Sequence, residues 1–373
     1  MKTKAAVVFE IGKPIEIVEL EVPKPGPGEV LVRYTHAGLC HSDVHIAHGD
    51  LEARLPMVLG HEGAGVVEEV GPGVTRVKAG DHIVAAFLPT CGTCRWCSTG
   101  HQPLCDMGAS ILEGHLPSGK WPFTGPGPER NYGSMCMVGS FSQYGLLDEH
   151  ATVKIDQSFP LDKAALVGCG VPTGWGSAVN TAAVRPGETV IVSGIGGIGI
   201  NAIQGARMAG AQPLIAVDPL TNKRDAALKL GATHAVATMA EAAEIARSVT
   251  NGNGADKAII TAGLVTEEII SETFDAVGKA GTMVITGLNQ LANRNIVLPS
   301  AVLTLWNKSI KGSLFGECSP TRDIPHLLNL YQTGELKVEE LITRTYSLEQ
   351  INQGYDDLLN GENIRGVLVH DPA

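Results

Sequence analysis

The sequence predicts a two-domain α/β protein: a β-rich first half, then a doubly wound parallel sheet. Three observations predict this class. Residues 1–150 carry short runs of period-2 alternation separated by Gly/Pro turns. Beyond residue 171, six short apolar runs alternate with stretches of helical spacing. At 373 residues the chain is long enough for two full cores.

Taken in order, the opening "MKTKAAVVFEIGKPIEIVEL" alternates like a first strand. It lacks the long apolar stretch and small-residue cleavage site of a signal peptide, so none is expected. "EVLVRYTHAG", "GAGVVEEVG" and "DHIVAAF" are the next strands, with "KPGPGE" and "VGPGVTRVKAGD" as turn clusters. A β-rich, barrel-like domain is expected over 1–170. The later runs are "TVIVSG" (189–194), "PLIAVD" (213–218), "HAVAT" (234–238), "KAIITA" (257–262), "TMVITG" (282–287) and "SIKGSLFG" (309–316). Strands alternating with helices imply a parallel sheet covered on both faces, here over 171–315. The tail, 316–373, returns to helix and closes on "NIRGVLVH", a strand expected to pack back on the first domain.

Composition excludes several classes. The net charge of −11 argues against nucleic acid, whose binders carry basic patches. No apolar run approaches the length of a membrane span. A cytoplasmic protein with reduced thiols is expected, in which clustered cysteines bind metal more often than they pair.

Gly194, Gly196 and Gly199 stand in a G-x-G-x-x-G spacing, with Gly197 and Ile198 inside it. The motif alone is weak, but a β-branched run precedes it and helical spacing follows. Such a turn lets backbone approach a pyrophosphate at a helix N-terminus. Asp218 ends the next strand, nineteen residues past Gly199, where a carboxylate can accept from ribose hydroxyls and repel a 2′-phosphate. The expected cofactor is NAD rather than NADP. An ordinary βαβ turn with an incidental Asp is the bland alternative.

Half of the eight cysteines fall in fifteen residues: Cys91, Cys94, Cys97 and Cys105, as C-x2-C-x2-C-x7-C. Four thiolates close a tetrahedral zinc site, so this zinc is expected to be structural. An iron–sulfur cluster or disulfides are the rivals. Cys40, His61 and Cys169 would make a three-ligand site with an open position, the pattern for catalysis. They lie 21 and 108 positions apart, so only the fold can join them. Cys136 and Cys318 read as small buried hydrophobes.

"GLCHSDVH", "GHEGAGVVEEVG", the four-cysteine loop, "GCGVPTGWGSAV", "GIGGIG" and "NIRGVLVH" together resemble the zinc-dependent medium-chain alcohol dehydrogenases, essentially end to end. "CRWC", "LVGCGV", "GIGGIGINAIQGAR" and "ELITRTYSLEQINQGYDDL" narrow the likeness to the actinobacterial nicotinoprotein alcohol dehydrogenases that use N,N-dimethyl-4-nitrosoaniline (NDMA). The resemblance implies a GroES-like catalytic domain with a Rossmann NAD-binding domain. It implies two zinc ions per chain, the catalytic one on Cys40, His61 and Cys169 with Glu62 behind it. Ser42 and His45 would relay a proton through the nicotinamide ribose. Thr173 would contact the nicotinamide, Lys223 the adenosine ribose and Arg365 the pyrophosphate. A helix beginning at Ser42 would put His45 one turn along on the same face, and Ser42 also reads as an N-cap.

One departure stands out. Many relatives carry Arg after the first zinc cysteine, on the pyrophosphate, where this chain has His41. An imidazole holds phosphate less strongly than a guanidinium. His41, His45 and His48 share a helical face, for which a polar lining is a sufficient account beside a three-histidine metal site. The expected activity is oxidation of an alcohol to an aldehyde or ketone by a homo-oligomer, with hydride passed to NAD and then, in the nicotinoprotein case, to a second electron acceptor. The alternatives are a mycothiol-dependent formaldehyde dehydrogenase and a non-catalytic NAD- and zinc-binding protein. For the former, Lys120 and Arg130 in 108–135 would meet an anionic adduct. Retention of NAD would need closure by 108–135 and 287–295.

Overall fold

A computed structural model of the chain describes residues 1–126, 130–290, 292–294 and 296–371. The segments 108–135 and 287–295 are therefore described only in part, since 127–129, 291 and 295 lie outside the described residues. The chain divides into two compact units, Met1–Cys169 with Ser319–Ala373, and Gly170–Cys318.

The first unit is β-rich. Lys2–Val8, Glu16–Glu21, Phe123–Thr124, Asn131–Ser134 and Met57–Val58 close a small barrel. Inward alternation fills it with Val7, Leu20, Phe123 and Tyr132, all buried. Beside it runs a sheet in the order Thr152–Ile155, His82–Ala85, Glu62–Val70, Glu29–Gly38, Arg365–Val369, Ile342–Tyr346, with Tyr144–Asp148 also paired to Glu29–Gly38. The C-terminal strand thus lies antiparallel to Glu29–Gly38, setting Val367 opposite Gly38. Gly38 in turn faces Glu62 on its other side.

The second unit holds six parallel strands in the spatial order His234–Val236, Leu214–Val217, Val190–Ser193, Ala255–Ile260, Val277–Ile285, Ser309–Gly312. In sequence order that is 3-2-1-4-5-6, the doubly wound arrangement with its switch point beside the first strand. Val190–Ser193 and Leu214–Val217 are buried along their whole length, which is why they read as unbroken apolar runs. Helices such as Met239–Val249, begun by a Thr238/Glu241 capping box, cover the sheet with Ala242, Ala243 and Ala246. The fifth strand begins at Val277, five residues before the apolar "TMVITG" run. Its start contains Gly278, Lys279 and Gly281, which carry no strand signal.

Candidate active site and zinc centres

The helix His41–His48 builds the first wall of the site. Its N-cap is Cys40, not Ser42, and Asp43 at the third position closes the capping box. Asp43 is fully buried and accepts from the backbone N–H groups of Cys40 (3.2 Å) and Gly60 (2.9 Å). Its Oδ1 also lies 3.4 Å from His61 Nδ1. One carboxylate thus orients His61 and anchors the loop carrying Cys40, the arrangement that fixes a metal-binding imidazole. Sequence reasoning passed over Asp43; its signal was an acidic residue three places after the candidate ligand, at a helix start.

Cys40, His61, Glu62 and Cys169 are all buried, and one ligand atom from each lies within 4.8 Å of the others. His61 Nε2 is buried with no hydrogen-bond partner. A buried, partnerless nitrogen is costly unless something binds it. A hydrogen bond between the two thiols holds Cys40 well below the usual thiol range and Cys169 well above it. Burial opposes charge on His61, but the Asp43 carboxylate and Cys40 prevail and raise it well above the ordinary imidazole value. This donor set, anionic sulfur with imidazole around a shared point, fits zinc.

Arg365 lies in this cluster, its Nη2 donating to Glu62 Oε2 in a buried ion pair. The register explains how it reaches. Gly38 separates the two strands, and a Cβ there would stand 2.0 Å from Glu62 Oε2 and 3.0 Å from Arg365 Nη2. Glycine leaves the space that the ion pair fills. Burial pushes the Glu62 carboxyl up to about 7, against the pull of Arg365. The resemblance implies a pyrophosphate contact for Arg365; in the structure its Nη2 meets the Glu62 carboxylate.

Ser42 is half-buried, with its hydroxyl 3.7 Å from Cys40 Sγ. His45 is buried, and its Nδ1 lies 2.9 Å from Asp50 Oδ2. The His41 ring stands edge-on to that of His45 at 5.0 Å.

The second centre is local in sequence. Cys91 and Cys97 sulfurs are 3.9 Å apart, as are those of Cys94 and Cys105. Four sulfurs about 2.3 Å from one zinc make a tetrahedron with edges of about 3.8 Å. Backbone N–H groups of Cys94 and Thr93 point at Cys91 Sγ from 3.3 and 3.4 Å. The Thr93 N–H foremost brings the Cys91 thiol down to about 6, while burial pushes Cys97 up to about 12. Donors aimed at sulfur favour thiolate, yet four thiolates cannot share this space without a cation. None of the eight cysteines is in a disulfide. Among the described residues these two are the groups suited to a metal, and His41, His45 and His48 belong to neither. Cys136 and Cys318 are buried outside both, and burial raises the Cys136 thiol to about 11.

In the second unit, the glycine turn precedes the helix Gly199–Met208, with Ile198 as its N-cap. Gly194 has φ +88°, and a Cβ on Gly199 would lie 1.9 Å from the Gly194 carbonyl oxygen. A Cβ on Gly196 would meet nothing within 4 Å, so backbone and open space face each other where a pyrophosphate would lie. Asp218 Oδ2 accepts from Ile195 N at 2.8 Å and Oδ1 from Leu220 N at 2.9 Å. Each carboxylate oxygen keeps a second lone pair for a ribose hydroxyl. Lys223 and Thr173 are both buried, in the helices Thr221–Lys229 and Gly170–Gly176. These residues fit a dinucleotide.

Among the described residues, no helix is long and apolar enough to cross a membrane. Residues 26–157 match the alcohol dehydrogenase GroES-like domain family, and residues 197–333 the zinc-binding dehydrogenase family. The chain is 55% identical to the NDMA-dependent alcohol dehydrogenase of Amycolatopsis methanolica, over 99% of each chain. It is 45% identical to alcohol dehydrogenase B of Mycobacterium tuberculosis, over 99% of this chain and 98% of the other. Benzyl alcohol dehydrogenase from Acinetobacter calcoaceticus superposes with a TM-score of 0.92 at 30% identity, over the full length of both.

Proposed function

Because the chain belongs to the zinc-binding alcohol dehydrogenase family, we propose that it oxidises small alcohols to aldehydes or ketones at the Cys40–His61–Cys169 site and keeps its NAD bound between turnovers. The observation that carries the first part is the buried quartet Cys40, His61, Glu62 and Cys169 with its partnerless His61 nitrogen. When bound, zinc supplies Lewis acidity toward an alcohol oxygen and NAD accepts hydride. Cys40, His61 and Cys169 hold the metal, Asp43 orients His61, and Glu62 with Arg365 closes the pocket behind it. Ser42 takes up the alcohol proton and passes it toward His45. In the second unit, the glycine turn seats the pyrophosphate and Asp218 the adenosine ribose, with Lys223 beside it and Thr173 toward the nicotinamide. His41, in place of the arginine of many relatives, is proposed to meet the cofactor on the same resemblance.

Retention of NAD rests on the likeness to the NDMA-dependent relative. Desalted protein, unfolded in acid, is expected to release NAD stoichiometrically. It should also oxidise alcohol with a nitroso acceptor while reducing little added NAD. An empty protein that reduces free NAD rapidly would make it an ordinary exchanging dehydrogenase, and a second electron acceptor would then have no role. Native mass spectrometry gives zinc, nucleotide and subunit number together. A homo-oligomer is proposed, supported by the sheet-edge strand Ser309–Gly312 beside the exposed Leu305 and Trp306. A cytoplasmic location is proposed, supported by eight cysteines of which none is in a disulfide.

Asp218 is expected to set the choice of nucleotide. Its carboxylate would stand against a 2′-phosphate, a like-charge contact costing several kcal/mol. Asp218→Asn keeps one backbone acceptor and removes the charge. The preference of nucleotide-free protein for NAD over NADP, measured by calorimetry, should fall by about a hundredfold. Equal binding of both nucleotides by the unmodified chain would remove Asp218 from the ribose.

The mycothiol-adduct reading draws no support from Lys120. Its ammonium is bound to Glu29 Oε2 and the Lys24 carbonyl, each at 2.7 Å, so its charge is committed to the fold. Trp121 packs under the Arg54 guanidinium at 4.1 Å.

A further inference from the structure

Building on the relay reading above, we propose that Asp50 is the positioning residue of the proton relay, holding His45 in the tautomer that accepts a proton and linking it to water. His45 lies inside the protein, with only 5% of its side chain exposed, whereas that of Asp50 is 25% exposed. A buried imidazole cannot pass each proton straight to solvent. Its Nδ1 lies 2.9 Å from Asp50 Oδ2. A carboxylate only accepts, so Nδ1 carries the hydrogen and the Nε2 lone pair is the acceptor.

The backbone makes this contact by design of the helix end. Gly49 caps the helix in the left-handed region (φ +84°), its N–H donating to the Ile46 carbonyl at 3.2 Å. Leu51 N–H then returns to the His45 carbonyl at 3.1 Å, folding Asp50 back over the last turn. With φ at +84° and a Cβ that would stand 2.9 Å from Ile11 Cγ2, this turn favours glycine. The charged and titratable groups on this face include His41, His48, Cys40 and Asp50; His45, Cys40, Asp50 and His48 all act on His41. Asp50 and Cys40 are the anions among them, and Asp50 is the one in contact with the imidazole of His45. It therefore meets the positive charge that His45 carries while a proton is in transit. No bond other than O–H and N–H changes: the alcohol proton moves by way of Ser42 toward His45 Nε2, and the proton on His45 Nδ1 passes to Asp50 and from there to water.

The test uses the zinc- and NAD-loaded protein. Single-turnover oxidation of alcohol, followed by nicotinamide absorbance, is expected to slow about tenfold to a hundredfold in Asp50→Asn at neutral pH. The deficit should shrink as pH rises, because hydroxide can then take the proton. Asp50→Glu should recover most of the rate, and added formate should accelerate Asp50→Ala but not the unmodified protein. Nitrogen-15 spectra, with His45→Gln to assign the ring, should show a protonated Nδ1 that is lost in Asp50→Asn. An Asp50→Asn protein that runs at the unmodified rate at all pH values overturns the proposal. So does a deficit that is equal at every pH and untouched by formate, the mark of a purely structural residue. His45→Gln separates the two levels. If it too leaves the rate and its pH profile unchanged, the relay itself fails. If it is slow while Asp50→Asn is not, Asp50 alone is excluded.

Discussion

His61→Ala is expected to abolish turnover, leave the fold in place and halve the zinc content from two ions per chain to one. The imidazole sits between the Asp43 carboxylate and the Phe87 ring, whose centroid is 5.6 Å away, and is 1% exposed. Alanine there leaves a void and one unmatched contact on Asp43, while Gly60 and Cys40 still bond that carboxylate. The structural penalty is thus of order 1–3 kcal/mol. The chemical penalty is larger. Without its nitrogen ligand the site loses the Lewis acid, several kcal/mol of transition-state stabilisation or about a thousandfold in rate. Asp43→Asn should fall between, with about a tenfold to hundredfold weaker metal hold, since it disturbs the ligand's orientation and not the ligand. Steady-state rates, plasma-source metal analysis and near-ultraviolet circular dichroism read all three quantities. A His61→Ala protein that keeps both zincs or its rate would remove His61 from the metal.

The complementary substitution, Cys94→Ser, is expected to damage stability rather than chemistry. Cys94 caps the four-residue helix Arg95–Ser98 and accepts the Cys97 N–H at 3.5 Å. Around it the loop has little apolar burial; of the residues between Cys91 and Cys105, Cys97 and Pro103 are the buried ones. Such a segment holds its shape through metal, and the binding free energy of a structural zinc becomes folding free energy. Losing several kcal/mol in a unit of this size lowers the thermal midpoint by roughly 10 °C. Calorimetry should show that fall, and metal analysis one zinc in place of two. The remaining activity should track the folded fraction. An unchanged midpoint, or iron and sulfide in the unmodified protein, would refute a structural zinc.

The two centres differ in how far they could be read from sequence. At the four-cysteine loop, ligand spacing, the turning N–H groups and the sulfur distances are all local, so fifteen residues carry the site. The glycine turn is local too: strand, Gly194 at positive φ and helix follow one another directly. Asp218 also fell where its strand had to end, although its hold on Ile195 N belongs to the folded turn.

Alternation, turn residues and short-range spacing determined the doubly wound sheet, the β-rich first unit and the four-cysteine cluster, because each is set by neighbours along the chain. Tertiary structure decided the rest. Cys40, His61 and Cys169 meet because a helix start, a strand start and a chain crossing converge on one buried point, which no spacing encodes. Arg365 reaches Glu62 rather than standing alone because its strand pairs beside Gly38, whose missing side chain leaves room for both. Asp43 and Asp50 are unremarkable acids in the sequence until burial and a left-handed cap bring them against two histidines. Local propensity acts over a turn or a strand, whereas a catalytic constellation depends on contacts between residues whose separation along the chain has no bearing on their distance in space.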